Sequence, residues 1–260
     1  MASTVRALLV ITSRALLVGC SSFQSNGSGS AVRPDESALA AYTKLGMQYL
    51  QAGDLLSAKD TLQKAVAADA KYAPALNGLA LVFQAEQERA LADSYYKQAI
   101  AADPSSAMIH NNYGAFLYSL GRYEEACTQL QSATEDPFYT QRAQAFENLG
   151  RCYRLIGRVD AAEFVLKRAT TLSPDRASAQ IELADLYIEK GDQVAANQRF
   201  VEFKSLLDQG KTQHFAKSLW VGVRLSRLAG SPSKAATYAL LLKNLYPNSE
   251  EYKNYKESGL

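Results

Sequence analysis

Along this chain apolar residues return three and four apart in short blocks, and each block is broken by glycine, proline or a polar pair. That spacing predicts amphipathic helices joined by tight turns. The blocks also repeat. An alanine stands at positions 58, 92, 126, 162, 196 and 235, in steps of 34, 34, 36, 34 and 39 residues, and similar residues surround each copy. The first unit, counted from 39, carries Tyr42, Leu45, Gly46, Tyr49, Ala58, Leu62 and Ala65. The second, from 73, carries Leu79, Ala80, Phe83, Ala92, Tyr96, Ala99 and Pro104. Units from 107, 143 and 177 follow the same order, and a weaker sixth keeps Gly222, Leu225, Ala235 and Pro247.

A period near 34 residues with these offsets is the signature of the tetratricopeptide repeat, a pair of antiparallel helices. It predicts an all-α solenoid of six helix-turn-helix repeats forming a right-handed superhelix, with units at about 39–72, 73–106, 107–140, 143–176, 177–210 and 215–249 and a capping helix after them. The eighth place of each unit needs a small residue so that the second helix can approach, and Gly46, Ala80, Gly114, Gly150 and Ala184 satisfy it. Gly53-Asp54 and Gly191-Asp192 read as a left-handed helix exit followed by an N-cap. Pro104, Pro174 and Pro247 end second helices. At the C-terminus, Tyr252 and Tyr255 share a helical face and are expected to cover the last repeat's open side.

Composition removes several function classes. Lys and Arg total 28 against 26 Asp and Glu. Two of the positive residues, Arg6 and Arg14, lie in the first nineteen, so the remainder is neutral and offers little attraction to nucleic acid. The tyrosines fall largely at packing positions. Only His110 and His214 could serve as imidazole bases, and neither sits in a metal or triad motif. Gly210-Lys211-Thr212 lacks the earlier glycine of a phosphate loop, because Ser205 stands in its place. No catalytic residue, metal site or cofactor is expected.

Residues 1–19 form a separate object. Arg6 precedes an apolar stretch, interrupted by Arg14, and Leu17-Val18-Gly19-Cys20 has the form of a lipobox. A lipoprotein signal peptide would end at 19, leaving Cys20 as the acylated N-terminus, and the resemblance to bacterial lipoproteins, in which an aspartate after the cysteine favours inner-membrane retention, implies outer-membrane sorting with Ser21 at that place. Residues 20–34 then make a polar, Gly/Ser-rich tether. As a flexible coil its 14 residues after Cys20 would span about 20 Å. The folded part would be 35–260, held to the membrane through the acyl chains alone.

Cys127 and Cys152 fall on neighbouring helices. An oxidising periplasm would allow a disulfide between them, but bridge geometry is demanding and a helix-buried cysteine acts as a small hydrophobe, so two free thiols are the favoured of the two readings. Without catalytic groups, the stack reads as a binding surface. In the family geometry first helices line the concave side, and places two, five, nine, twelve and thirteen face a ligand. Met47, Asn77, Gln84, Asn111, Tyr118, Glu147, Arg151 and Arg154 occupy such places, suited to a peptide backbone or a carboxylate. The 134–142 connection, TEDPFYTQR, offers Phe138 and Tyr139 as either a packed elbow or an exposed contact.

The lipobox at Cys20, the opening YTKLGMQYLQAGD, NNYGAFLYSLGRYEEA at 111–126, FENLG at 146–150 and LLLKNLYPNSEEY near the end closely resemble the PilF/PilW family of type IV pilus biogenesis lipoproteins. The resemblance implies an outer-membrane pilotin, lipid-anchored on the periplasmic face, that binds a pilus secretin subunit and promotes its localisation and multimerisation. Of functional residues it carries over only the acylated Cys20. The rival reading is another tetratricopeptide lipoprotein adaptor, serving outer-membrane β-barrel assembly or the organisation of cell-wall enzymes.

Overall fold

The computed structural model describes residues 35–259. The leader, Cys20 and the tether lie outside the described residues. Thirteen α-helices and no strand occur within them. Six antiparallel pairs follow one another: α1 (Glu36–Gln51) with α2 (Leu55–Ala68), α3 (Ala73–Ala85) with α4 (Arg89–Ala102), and α5 (Ala107–Ser119) with α6 (Tyr123–Ala133). Then come α7 (Arg142–Leu155) with α8 (Val159–Leu172), α9 (Ala177–Glu189) with α10 (Gln193–Asp208), and α11 (Ala216–Leu228) with α12 (Pro232–Leu245). The short α13 (Glu250–Glu257) packs on α11 and α12.

Within a pair the helices touch where the first has no side chain. A Cβ on Gly114 would lie 2.6 Å from Leu130 Cγ, and one on Gly150 would lie 2.5 Å from Leu166 Cγ. The partner leucines, Leu62, Leu130 and Leu166, are fully buried as a result. Where alanine replaces the glycine, an aromatic ring takes the leucine's place: Tyr96 follows Ala80 and Phe200 follows Ala184 by the same sixteen residues. The six alanines at the repeat step are all buried, and five of them are wholly inaccessible. One apolar core therefore runs from α1 to α11, as expected of a stack in which each unit buries its face against the next.

The turns behave as their residues dictate. Asp54 accepts a hydrogen bond from the Ser57 amide at 3.0 Å, and Asp192 accepts one from the Ala195 amide at 2.9 Å. Helices α4, α8 and α12 stop two residues before Pro104, Pro174 and Pro247. At the end of the stack, the Tyr255 ring meets Trp220 edge-on at 6.4 Å and Arg227 lies over it at 5.2 Å, while Tyr252 stacks on Tyr255 at 6.1 Å.

The expectation of free thiols is corrected. Cys127 on α6 and Cys152 on α7 form a disulfide, with their Cα atoms 5.6 Å apart. Both residues are buried where α6 packs against α7 across the junction of the third and fourth repeats. That helix contact brings their backbones inside the bridging range, which a separation of 25 residues in sequence does not reveal.

Candidate functional site

Among the first helices α1 packs on α3, α3 on α5, α5 on α7 and α9 on α11, and α7 is tied to α9 through side chains, so that together they form one wall of the stack. Place five of each unit falls between two of them, which decides the fate of three candidate residues. Asn77 accepts a hydrogen bond from Asn112 Nδ2 on the next first helix at 3.2 Å. Asn111 accepts one from Asn148 Nδ2 at 3.1 Å. Glu147 is bonded by Ser178 Oγ at 2.9 Å and by Arg176 Nη1 at 3.1 Å. All three are buried. They form a side-chain ladder that ties repeat to repeat from α3 to α9, and one side-chain oxygen of each is already hydrogen-bonded to the neighbouring repeat.

Place nine and place twelve point elsewhere. Tyr118 on α5 and Arg151 on α7 border two adjoining cavities. The first, of about 240 Å³, is lined by Ala115, Tyr118, Leu130, Asn148 and Arg151. The second, of about 270 Å³, continues from Tyr118 and Arg151 to Arg154, Glu182, Glu189 and Lys217, with Glu251 of α13 at its border. Met47 and Gln84 belong to the first two repeats and stand apart from this cluster. Met47 is half-buried, and the Gln84 amide oxygen accepts a hydrogen bond from Tyr96 at 2.8 Å.

Beneath the second cavity lies an ionic network. Arg154 Nη1 donates to Glu182 at 2.6 Å, and its Nη2 donates to Asp185 at 2.8 Å and Glu189 at 2.5 Å. Lys217 on α11 also reaches Glu182 at 2.6 Å, and Arg224 pairs with Asp185. Burial pushes the Asp185 carboxyl up, but Lys217 and Arg154 outweigh it and hold the group below its ordinary range. Burial likewise works against charge on Arg154, yet Asp185 and Glu182 reverse the sign and raise its pKa. Taking ions out of water is costly unless each is paired and hydrogen-bonded. Here α7, α9 and α11 each supply part of the pairing, so the network fixes three repeats in register.

Arg151 takes little part in it. Its Nε stands 3.3 Å from Glu182 and its side chain is 46% exposed, against 13% for Arg154. Tyr118 is partly buried, its ring edge-on to Tyr123 at 5.5 Å, and burial pushes its hydroxyl pKa up. The 134–142 connection divides between its two readings. Phe138 is 88% exposed, whereas Tyr139 is half-buried. Asp136 accepts from the Phe138 amide at 2.8 Å, and Arg142 Nε donates to the Thr134 carbonyl at 2.8 Å, so the turn is fixed while the phenyl ring stands out.

Several participants were missed in the sequence. Asn112, Asn148, Ser178 and Arg176 are the ladder's donors, and the signal for the first two was an amide at place six directly after a polar place five. Glu182, Asp185 and Glu189 repeat at i, i+3 and i+7 on one helix face, opposite the i, i+3 pair Arg151 and Arg154. That complementarity of spacing is legible in the sequence. His110 is a packing residue: its Nδ1 lies 2.7 Å from Gln129 Oε1 and its Nε2 lies 2.9 Å from the Pro104 carbonyl. His214 lies against Phe203 and Tyr238, its Nδ1 3.0 Å from Ser218 Oγ. Among the described residues no cluster of His, Cys, Asp or Glu could hold a metal ion, and no helix is long and apolar enough to cross a membrane.

Comparison with known proteins agrees with the repeat geometry. Tetratricopeptide-repeat family models match residues 39–72, 73–106 and 105–175. The type IV pilus assembly protein PilF of Pseudomonas aeruginosa is 38% identical over 256 residues, covering 97% of this chain and 98% of that protein. An uncharacterised protein of Haemophilus influenzae is 29% identical over 142 residues, covering 55% of this chain and 79% of its own length. Among solved structures, that of Pseudomonas aeruginosa PilF superposes with a TM-score of 0.75 at 38% identity, covering 85% of this chain and 98% of that one. The structure of PilW, described as a widely conserved type IV pilus biogenesis factor, gives a TM-score of 0.71 at 28% identity, covering 84% of this chain and 97% of that one. With helices, repeats and nearly the whole length in common, the chain belongs to the PilF/PilW family of tetratricopeptide-repeat type IV pilus assembly proteins.

Proposed function

We propose that this protein is an outer-membrane lipoprotein that binds a pilus secretin subunit and carries it to the outer membrane, where the subunits assemble into a ring. The observation that carries this reading is the similarity to PilF along nearly all of both chains. The action is physical escort. A subunit bound to the solenoid shares the lipid destination of its carrier, and confinement at one membrane raises the local concentration from which a ring assembles. The helical surface supplies recognition through side chains such as Tyr118 and Arg151, and the acyl chains on Cys20 supply the address. No bond is made or broken in the partner, so neither nucleotide nor metal enters the scheme.

Three experiments test it. The full-length protein expressed with its cognate secretin should co-purify with secretin subunits, and a deletion strain should leave the secretin outside the outer-membrane fraction. Folded protein that retains no secretin would overturn the reading of partner. Cys20→Ser should move the protein out of the membrane fraction, and a variant still found there would remove the acyl anchor from the scheme.

A further inference from the structure

Where α10, α11 and α12 meet, a cavity of about 140 Å³ has Asn197, Lys204, Ser226, Ser231 and Lys234 as its polar lining. None of these residues borders the cavities beside Tyr118 and Arg151. No acid lines it, and its two lysines form no ion pair among the described residues; Lys204 Nζ only lies over the Phe200 ring at 5.9 Å. Ser226 is 8% exposed, yet its side chain opens on the cavity and its hydroxyl has no hydrogen-bond partner among the described residues. A buried hydroxyl in that condition is costly unless something outside the fold satisfies it.

The first turn of α12 adds an independent demand. Ser231 is its N-cap, but the side chain makes no capping bond and no acid follows it. Pro232 has no N–H to offer, so the orphan donors are the Ser233 and Lys234 amides, and neither meets an acceptor among the described residues. Lys234 also sets a full positive charge at the positive end of the helix dipole, an arrangement that an anion relieves.

We propose that this cavity binds a phosphate group, its oxygens on the Ser226 and Ser231 hydroxyls and the Lys234 amide, and its charge between Lys204 and Lys234. Charge and donor count name the ligand. Two unpaired ammonium groups match a dianion, and the three terminal oxygens of a phosphate monoester suit a set of hydroxyl, amide and ammonium donors. A carboxylate brings one charge and two oxygens and would leave part of that set empty. Asn197 stands at the border, its Nδ2 donating to the Gln193 carbonyl at 3.1 Å with a second N–H left for the ligand. The small volume admits the phosphate and leaves outside whatever it is esterified to. Such a group comes free in solution or on a lipid headgroup, and the two share this chemistry.

The full-length protein, labelled with 15N, is titrated at constant pH and ionic strength with inorganic phosphate, monomeric dihexanoylphosphatidic acid, dihexanoylphosphatidylcholine and acetate. The Ser233 and Lys234 amide signals should shift and saturate with phosphate and with the phosphatidic acid. Acetate and the phosphatidylcholine should need at least tenfold higher concentration. Tighter binding of the phosphatidic acid supports the site as one for a headgroup, and equal or tighter binding of phosphate supports it as one for the free ion. The double variant Lys204→Gln, Lys234→Gln should weaken binding at least tenfold with an unchanged circular dichroism spectrum, and Lys204→Arg with Lys234→Arg should keep most of it. Ser226→Ala should weaken it at least threefold. No saturating shift, an equal response to acetate, or an affinity that survives the paired glutamines would overturn the proposal. Secretin capture in the escort scheme uses none of these residues, so neither result bears on it.

Discussion

At the scale of single residues, the repeat assigns each position a task, and departures from the task carry a measurable cost. Five of the turns inside helix pairs pass through a left-handed residue that is glycine: Gly53, Gly121, Gly157, Gly191 and Gly230. In the second repeat the residue is Gln87, with φ of 63°. A side chain in that region costs roughly 1–2 kcal/mol, part of which glycine gives back by loosening the unfolded chain. Gln87→Gly should therefore stabilise the protein by about 0.5–1 kcal/mol, read as a higher midpoint in chemical denaturation. Gly114 has the opposite constraint. Its missing Cβ is what lets Leu130 in, so Gly114→Leu should cost about 1–3 kcal/mol, and an unchanged thermal midpoint would contradict the packing described. Both positions could be read from the sequence, the glycine from its place in the repeat and the turn by analogy with its neighbours. What could not be read was the burial of Asn77, Asn111 and Glu147. Repeat geometry fixes which helix a residue lies on, but whether place five opens onto solvent or meets the next helix depends on how closely first helices pack.

At the scale of helices, α6 and α7 have the strongest tie in the stack. The disulfide between Cys127 and Cys152 closes a loop whose ends are 25 residues apart in sequence. By loop-closure entropy such a link is worth roughly 3 kcal/mol. The double variant Cys127→Ala, Cys152→Ala should lose an amount of that order in denaturant unfolding, with its helical spectrum retained. A loss under about 0.5 kcal/mol would mean that the chain-entropy account fails here. The pairing escaped the sequence because it depends on a few ångströms of helix separation, and nothing in the spacing of two cysteines reports that distance. The helices themselves were legible down to their turns, since glycine, aspartate and proline act locally.

Over the whole molecule, charge is balanced in sum but not in arrangement, and acid should expose this. Hydrogen bonds from Lys167 and Lys190 hold the Glu163 carboxyl down to about 2, and the cations around Asp185 hold it low against its burial. A carboxyl with a lower pKa in the folded state adds stability above its unfolded value and gives it up as pH falls toward the folded one. His214, whose imidazole burial depresses from 6.5, adds an earlier loss, because below that value the unfolded chain binds its proton first. Stability should thus begin to fall below about pH 6.5 and drop more steeply below about 4.5. Thermal unfolding at pH 7, 5.5 and 3 would check this, and Glu163→Gln should flatten the lower part of the curve. A profile that rises toward pH 3 would refute it.

A row of hairpins joined by short loops and side-chain contacts can stretch and coil like a spring, each joint yielding a little. The sulfur bridge removes that freedom at one joint. The third and fourth hairpins become a stiff link whose walls hold Tyr118 and Arg151 at fixed separation, and bending on meeting another protein is left to the hairpins on either side.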